Sequence, residues 1–285
     1  MATDVAIITD SIANIPEEMV VKYRIVIVPI ILAVQGKLYR DGIDMSPSEA
    51  YKLFLKDPES FNTSPASPGH YLEAYREANK QAKNILCITL SSKLRTGYEM
   101  ACVAKEQAKI DIPEALIEVM DSQNVTAAEG FVAVAAARAA LEGKHLSEVV
   151  KVAEEVRDKV IFVVLLDTIR HIYRTGRIPK VASQIGSMLK IRPILTNSSG
   201  LVSFKGMVRN REKGVNRLLE TLSNKVGQNP VHVAVMHAYV LDEAKMFKER
   251  ISSEFNCVEI FITELSPVMG YATGTGTLGL AFYKD

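Results

Sequence analysis

Hydroxyl-rich loops at three places in the chain are the residues best suited to bind a ligand. They are Asp10-Ser11, residues 63–69 and residues 91–97, and each lies in or borders a connection from a predicted strand to a predicted helix. In a parallel sheet such connections gather at one edge. Hydroxyls and free helix amides at that edge bind an anion without supplying a nucleophile. Helix capping explains any one cluster, whereas three together favour a binding site.

A glycine-rich segment, residues 274–279 with the sequence GTGTLG, matches the letters of a dinucleotide-binding loop. That loop must follow a first strand, open a helix and precede an acidic residue about twenty positions later. The segment stands six residues before Asp285, the last residue of the sequence, so we do not expect a dinucleotide site. Its glycines and the hydroxyls of Thr273, Thr275 and Thr277 predict a loop that approaches a ligand closely.

Motifs for ATP binding, hydrolysis and metal binding are absent from the sequence. It contains neither G-x-x-x-x-G-K-[ST] nor G-x-S-x-G, and its five histidines and three cysteines lack the spacing of metal ligands. Asp41 and Asp44 supply too few oxygens for calcium, and we interpret them as a solvated turn. We therefore expect no metal, no cofactor and no catalytic residue.

Composition and charge exclude several classes of protein. The 285 residues carry 34 basic and 33 acidic side chains that are interleaved, so no overall field favours nucleic acid. The apolar runs are too short for a signal sequence or a membrane span, and we expect no stable membrane insertion. Three unevenly spaced cysteines fit a reducing cytoplasm, which is the expected location.

The alternation of predicted strands and helices indicates an α/β fold of two domains. In residues 1–158 strands separated by helices predict an N-terminal domain with a mostly parallel sheet. Within it, residues 25–34 are predicted to form one strand that runs into a turn, and residues 126–142 an alanine-rich helix. Residues 191–208 read as two strands around a turn, so residues 159–285 are predicted to form a C-terminal mixed α/β domain.

The order and spacing of these segments resemble the DegV family of bacterial fatty-acid-binding proteins, which includes the acyl-carrying subunits of fatty acid kinase. The similarity runs nearly end to end. It depends on short motifs spread along the chain: Thr9-Asp10-Ser11 with Ile15-Pro16, Thr63-Ser64 with Ser67-Pro68-Gly69, Ser91-Ser92-Lys93-Leu94, Asp121-Ser122, Gly176-Arg177-Ile178, and Thr273-Gly274 with Gly276-Thr277-Leu278-Gly279.

The resemblance implies one long-chain fatty acid between the two domains, with its tail buried and its carboxylate held by the hydroxyl loops. It also implies an ATP-dependent fatty acid kinase as partner, with Arg177 and with Arg209 or Arg211 at the phosphoryl group or the docking surface. The chain itself would be non-catalytic and a monomer in isolation. The candidate ligand-binding residues are Thr63, Ser64, Ser91, Ser92, Arg95, Thr96, Gly97, Ala272, Thr273 and Gly274.

Two segments differ from the family pattern. The usual Leu-Ser-Gly-Thr-Tyr is residues 94–98 here, LRTGY, and the usual His-Thr-Gly-Pro-Gly is residues 272–276, ATGTG. A guanidinium thus replaces a hydroxyl, and an imidazole is missing. We hypothesise that Arg95 offsets the missing imidazole by pairing with the ligand carboxylate, since charge-assisted bonds are about twice as strong as neutral ones. The alternative is an Arg95 that points into solvent.

Two further functions compete with a lipid carrier. An enzyme acting on a phosphorylated small molecule would use the same loops, with Asp10 or His237 as acid or base, and would need a polar pocket. A regulator that only contacts proteins would bind no ligand. A sixteen-carbon tail offers roughly 11 kcal/mol of gross burial energy, from about fourteen methylenes at roughly 0.8 kcal/mol each, so a carrier needs a deep apolar cavity.

Overall fold

The computed structural model describes residues 3–176 and 191–285, in which two β-sheets lie on either side of a buried helix. The first half of the chain forms strands β1 (Val5–Asp10), β2 (Val26–Val28), β3 (Ile31–Val34), β4 (Lys37–Arg40), β5 (Phe61–Ser64), β6 (Asn84–Thr89) and β7 (Leu116–Asp121). Its helices are α1 (Glu17–Tyr23), α2 (Pro47–Lys56), α3 (Pro68–Asn79), α4 (Gly97–Asp111), α5 (Ala127–Leu141) and α6 (Leu146–Lys159).

A parallel sheet organises the first half, in the strand order β2-β1-β6-β7. Every residue of β1 is buried, and so is every residue of β6 after Asn84, as expected for strands covered on both faces. Helices α3 and α4 pack against this sheet as one pair, and α5 and α6 as another. The carboxyl ends of β1, β6 and β7 consequently open onto the same edge.

A mixed sheet organises the second half, in the order β10-β9-β8-β13-β11-β12. Only the pair β11–β12 is parallel among its described strands. The fold class predicted from the sequence is thereby confirmed. The elements are β8 (Ile161–Leu165), α7 (Arg170–Arg174), β9 (Arg192–Ser198), β10 (Leu201–Val208), α8 (Arg211–Val226), β11 (Val231–His237), α9 (Leu241–Glu254), β12 (Cys257–Glu264), α10 (Pro267–Thr273) and β13 (Leu278–Lys284).

Helix α5 lies between the two sheets, and all its residues except Arg138 and Leu141 are buried. It contacts β1 and β6 on one side and β8 and β13 on the other. An apolar surface all round is typical of a fully buried helix, and its alanines let both sheets approach closely. A Cβ at Gly130 would lie 2.4 Å from the carbonyl oxygen of Ala13. The core is therefore continuous from one sheet to the other, and a domain boundary at residue 158 stays a prediction.

The prediction of one strand over residues 25–34 was wrong. Pro29 divides this segment into β2, which belongs to the parallel sheet, and β3, which belongs to a separate antiparallel sheet of order β4-β3-β5. Proline has no backbone N–H and cannot donate to a sheet ladder, so the chain leaves one sheet there and enters another. The sequence analysis also missed β5, the strand that carries Thr63.

The predicted hairpin in the second half is confirmed as β9 and β10, which pair antiparallel. Its turn residues Ser199 and Gly200 both have positive φ, 48° and 80°, as the tightest hairpin turns require. The end of β9 contacts the loop that follows β7 of the parallel sheet, because the side-chain amide of Asn197 donates to the side chain of Asn124 at 2.8 Å. The hairpin thus connects the two halves of the molecule.

Candidate ligand-binding site

A cavity lies between the carboxyl edge of the parallel sheet and one face of the mixed sheet. The space within it is about 760 Å³ when the open solvent at its mouth is included. Its position matches the edge where ligands bind in open α/β sheets. The apolar side chains that line it are Ile12, Leu90, Leu94, Val125, Phe162, Val164, Ile172, Leu195, Val202, Leu265, Val268, Met269 and Ala272.

The apolar wall follows from the alternation of side chains along a strand. On β8, Phe162 and Val164 face the cavity. Val163 and Leu165 face the other way and belong to a second hydrophobic core, which lies between the mixed sheet and the helices α8 and α9. The same alternation on β9 turns Leu195 toward the cavity and Ile194 toward the second core. A strand with apolar side chains on both faces therefore lines the cavity with one face and packs into the second core with the other.

Arg95 is the charged side chain among the described residues that line the cavity, together with the hydroxyl residues Thr126, Thr175 and Thr273. Its Nη2 donates a hydrogen bond to Oγ1 of Thr63 on β5. Arg95 is therefore held at the cavity and does not simply extend into solvent. Thr63 does not itself line the cavity and reaches it through Arg95.

Two buried carboxyl groups, Asp10 and Glu129, lie next to the cavity floor. Asp10 accepts hydrogen bonds from the amides of Ile12 at 2.9 Å and Leu90 at 3.2 Å, and burial raises its pKa to about 6. Glu129 accepts from Oγ1 of Thr9 at 3.0 Å. Burial and the nearby Asp10 raise the pKa of Glu129 well above its ordinary value, which favours the protonated form of Glu129.

The interpretation of Asp41 and Asp44 as a solvated turn was wrong for Asp41. The side chain of Ser11 reaches over Asp41 and donates to Oδ2 at 2.7 Å, and the residue is only 3% exposed. Burial raises the pKa of Asp41 to about 6, while the Ser11 hydroxyl and the charge of Arg95 act to lower it. Asp44 is exposed and pairs with Arg40 at 2.8 Å, which lowers the pKa of Asp44 to about 2.

The hydroxyls of Ser91 and Ser92 are bonded within the protein. Ser91 Oγ donates to the carbonyl of Gly200 at 2.6 Å, and Ser92 Oγ donates to Oδ2 of Asp121 at 2.6 Å. Lys93 extends the contact, since its Nζ donates to the carbonyl of Ser199 at 2.8 Å. The first half of this loop therefore holds the β9–β10 turn, and Leu94 and Arg95 in its second half line the cavity.

Three other predicted ligand residues lie at the starts and ends of elements. Ser64 ends β5 and is exposed, and Thr96 precedes α4 and is also exposed. Gly97 begins α4, where a Cβ would lie 3.1 Å from Oη of the buried Tyr71. Within the described residues, these three side-chain positions do not line the cavity, and their contact with a ligand stays a prediction.

The glycine-rich segment closes the cavity as a turn between α10 and β13. Ala272 and Thr273 line the cavity, and Oγ1 of Thr273 donates to the carbonyl of Met269 at 2.9 Å. Gly274 has φ of 81°, and a Cβ there would lie 2.4 Å from Cδ2 of His171. The segment leads into a strand and not a helix, which agrees with the rejection of a dinucleotide loop.

Arg209 and Arg211, two of the basic residues predicted to contact a phosphoryl group or a partner, do not line the cavity. Arg177 is outside the described residues. Arg209 is exposed, and its carbonyl accepts a hydrogen bond from Nη1 of Arg192 at 3.0 Å. Arg211 pairs with Glu243 at 2.6 Å. The role of these arginines stays a prediction.

Thr126 was not predicted as part of the site, and α10 was not predicted as a helix, although its residues Ala272 and Thr273 were among the predicted ligand residues. Thr126 has φ of 58° and ψ of −148°, a conformation that few residues other than glycine adopt, and its hydroxyl donates to Sδ of Met236 at 3.1 Å. Pro267 at the first position of α10 and Ser266 before it are ordinary helix-start residues that could have revealed the helix. The strain at Thr126 has no counterpart in the sequence pattern.

His237, the alternative acid or base, is buried at the end of β11 and does not line the cavity. Burial lowers the pKa of His237 to about 4, so its ring is neutral at pH 7, and Nδ1 accepts from the amide of Val240 at 3.4 Å. Across residues 3–176 and 191–285 no three acidic, histidine or cysteine side chains are arranged to hold a metal ion. In the same residues no helix is both long enough and apolar enough to span a bilayer.

Known proteins resemble the chain over nearly its full length. A family model described as an uncharacterised protein of the DegV family matches residues 4–285. A DegV domain-containing protein of Caldanaerobacter subterraneus is 32% identical over 220 residues, which cover 77% of each chain. The DegV protein of Bacillus subtilis is 29% identical over 282 residues, covering 98% of this chain and 99% of its own.

Solved structures agree with this assignment. The crystal structure of Bacillus subtilis DegV, described as a fatty acid binding protein, matches with a TM-score of 0.88 at 27% identity and covers 99% of this chain and 100% of its own. A stearic acid-binding protein from Eubacterium ventriosum has a TM-score of 0.91 at 24% identity, with 98% of each chain covered, and supports the fold. The predicted family is confirmed: the chain belongs to the DegV family.

Proposed function

We propose that this protein binds one long-chain fatty acid, with the tail in the cavity between the two sheets and the carboxylate paired with Arg95. The observation that carries the proposal is a single guanidinium in a cavity lining that otherwise consists of apolar side chains and three threonines, within the part of the chain that the structure describes. The cavity buries methylenes, and the guanidinium satisfies a carboxylate that would otherwise lose its hydration. No resident cofactor is needed for this function.

The family membership supports the same ligand. The Bacillus subtilis relative, which is 27% identical by structural alignment, is described as a fatty acid binding protein. The phosphorylated-metabolite enzyme gains no support from the cavity, because neither Asp10 nor His237 lines it. A carrier that presents its acid to an ATP-dependent kinase in the cytoplasm is the finer proposal, and Arg177 and Arg209 are its candidate phosphoryl or partner contacts.

Native mass spectrometry of the purified protein tests the ligand. We expect an added mass equal to one fatty acid per chain, released on denaturation, and recovered when stripped protein is incubated with palmitate. The matched control is methyl palmitate, which has the tail but no charge for Arg95 and should bind more weakly. A protein that is purified empty and also refuses palmitate would refute the proposal.

Transfer to a kinase is tested separately. The loaded protein is incubated with ATP and a bacterial fatty acid kinase, and acyl phosphate is trapped as the hydroxamate. Formation of hydroxamate only when this protein is present supports a carrier role. Equal product with and without the protein would leave a fatty acid binder that does not serve that kinase.

A further inference from the structure

Three buried acids form a connected cluster behind the cavity wall, and the proposed function does not use them. Asp10 and Glu129 are fully buried, and Asp41 is 3% exposed. The side chains of Asp10 and Glu129 interact with each other, which acts to lower the pKa of Asp10 and to raise the pKa of Glu129. Ser11, the residue after Asp10, donates to Asp41 at 2.7 Å. One short segment of chain therefore connects all three acids.

Single residues separate the cluster of acids from the cavity. Ile12 and Leu90, whose amides bind Asp10, both line the cavity. Val268, whose amide faces Asp41, lines it as well. Oδ1 of Asp41 is buried and has no hydrogen-bond partner among the described residues. A change of charge at the cavity is thus felt by both acids through a low-dielectric wall.

Arg95 is the basic group whose charge acts on both Asp10 and Asp41. The other titratable groups that face the cluster from neighbouring elements are neutral or negative. Burial raises the pKa of Tyr51, Tyr71 and Cys87, which stay neutral, and Asp121 adds negative charge toward Glu129. Within the described residues the cluster therefore depends on one cation, and the proposed ligand binds to that same cation.

We propose that the buried carboxyls of Asp10 and Asp41, behind the cavity wall, take up a proton from solvent when a fatty acid carboxylate pairs with Arg95. This inference rests on the proposed function. The incoming carboxylate adds a negative charge beside Arg95 and offsets the field that keeps the two acids ionised. A proton from the buffer then binds to a carboxylate oxygen of Asp10 or Asp41, and no other bond changes.

The direction of the pH dependence follows from the free protein. Asp10 and Asp41 each have a pKa of about 6, so at pH 7 most of each is ionised and able to accept a proton. The bound carboxylate raises these values further. Affinity for the acid should then increase as the pH falls from 8 to 6.5, by up to about tenfold per pH unit if one full proton is taken up.

Isothermal titration calorimetry with dodecanoate, below its micelle concentration, measures the proton directly. At pH 7 the observed enthalpy is plotted against the ionisation enthalpy of phosphate, HEPES and Tris buffers, and the slope gives the protons taken up. We expect a clear positive uptake for the wild type, a smaller one for Asp41→Asn and for Asp10→Asn, and none for dodecanol. Asp44→Asn is the matched control, because Asp44 lies in the same loop but pairs with Arg40, and its uptake should equal the wild type.

The outcomes separate the two proposals. No heat and no binding for any fatty acid would refute the proposed function itself. Dodecanoate binding with zero uptake would overturn this inference and leave the proposed function intact. Uptake that stays at the wild-type value in both Asp41→Asn and Asp10→Asn would place the proton elsewhere, on the ligand for example, and would also overturn it. Circular dichroism confirms that each variant is folded.

Discussion

Two loops that look equally suited to hold a ligand in the sequence have different roles in the structure. The loop of residues 91–97 sends Arg95 to the cavity and uses Ser91 to hold the β9–β10 turn. The glycine-rich loop of residues 273–277 lines the cavity with Thr273, but its hydroxyls are occupied locally: Thr273 donates to Met269 and Thr277 to Gly274. The loop of residues 91–97 contributes a charged side chain to the cavity, and the glycine-rich loop contributes part of the cavity wall.

The difference shows that a hydroxyl at a cavity can donate to a ligand only if a carbonyl of the protein does not already accept its hydrogen bond. Threonines at the end of a helix donate to carbonyls three or four residues earlier, which costs little and leaves no free donor. An arginine has five N–H donors and is far harder to satisfy internally. We therefore expect the charged loop to control affinity for the carboxylate and the glycine loop to control stability.

The largest expected effect is on stability, from Gly274→Ala in the glycine loop. Gly274 has φ of 81° and ψ of 160°, and an added Cβ would lie 2.4 Å from Cδ2 of His171. Backbone strain and displacement of the ring together should cost about 3 kcal/mol of unfolding free energy. Urea unfolding measures it. Gly276→Ala, with φ of 83° and a nearest contact of 3.1 Å, is the control and should cost roughly 1 kcal/mol. Equal losses would contradict the steric part of the argument.

The next effect is the contribution that Asp41 makes to the pH dependence of stability. Its pKa is about 6 in the folded protein and 3.8 as a free side chain, so the folded state binds more protons between these values. Stability contributed by the protonated acid is present below pH 3.8 and is lost as the pH rises through 6. Between pH 4 and pH 7 the wild type should lose about 2 kcal/mol more unfolding free energy than Asp41→Asn. Urea unfolding at pH 4 and pH 7 measures it, and parallel curves for wild type and variant would refute it.

Ligand affinity should change most with Arg95→Ala. Loss of the guanidinium leaves the bound carboxylate without its charged partner, and we expect affinity for palmitate to fall by more than tenfold, about 1.4 kcal/mol or more. Thr273→Val, a variant of similar shape in the other loop, should change affinity less than threefold because its hydroxyl already bonds to Met269. Competition with a fluorescent fatty acid measures both. Unchanged affinity in Arg95→Ala would sink the role given to this loop.

The smallest expected effect is that of Ser91→Ala. The hydroxyl donates to Gly200 at 2.6 Å, so its removal leaves a buried carbonyl without that donor and should cost roughly 1 kcal/mol of stability. Because the side chain does not line the cavity, palmitate affinity should change less than threefold. Thermal unfolding and the same competition assay give the two values. A large loss of affinity with little loss of stability would instead make Ser91 a ligand residue.

The sequence predicted the regular elements well because local patterns determine them. The helix at Pro47–Lys56 has its capping box between Ser46 and Glu49, and the alanine run predicted α5. Tertiary partners decided what the sequence analysis missed. Asp41 resembles a turn residue until Ser11 is found to reach across thirty positions to bond with it, and nothing local shows that Thr63 touches Arg95.

Strand β13 lies between β8 and β11 in the mixed sheet, although it follows both in the chain. Leu278 to Phe282 pair with Leu165 to Ile161, so the cavity wall formed by Phe162 and Val164 stays without that neighbour until β13 has been synthesised. Contacts between residues so far apart in sequence form slowly and leave apolar surface exposed in the meantime. The cavity is therefore completed late in folding, after a strand far along the chain has joined the sheet between two earlier strands.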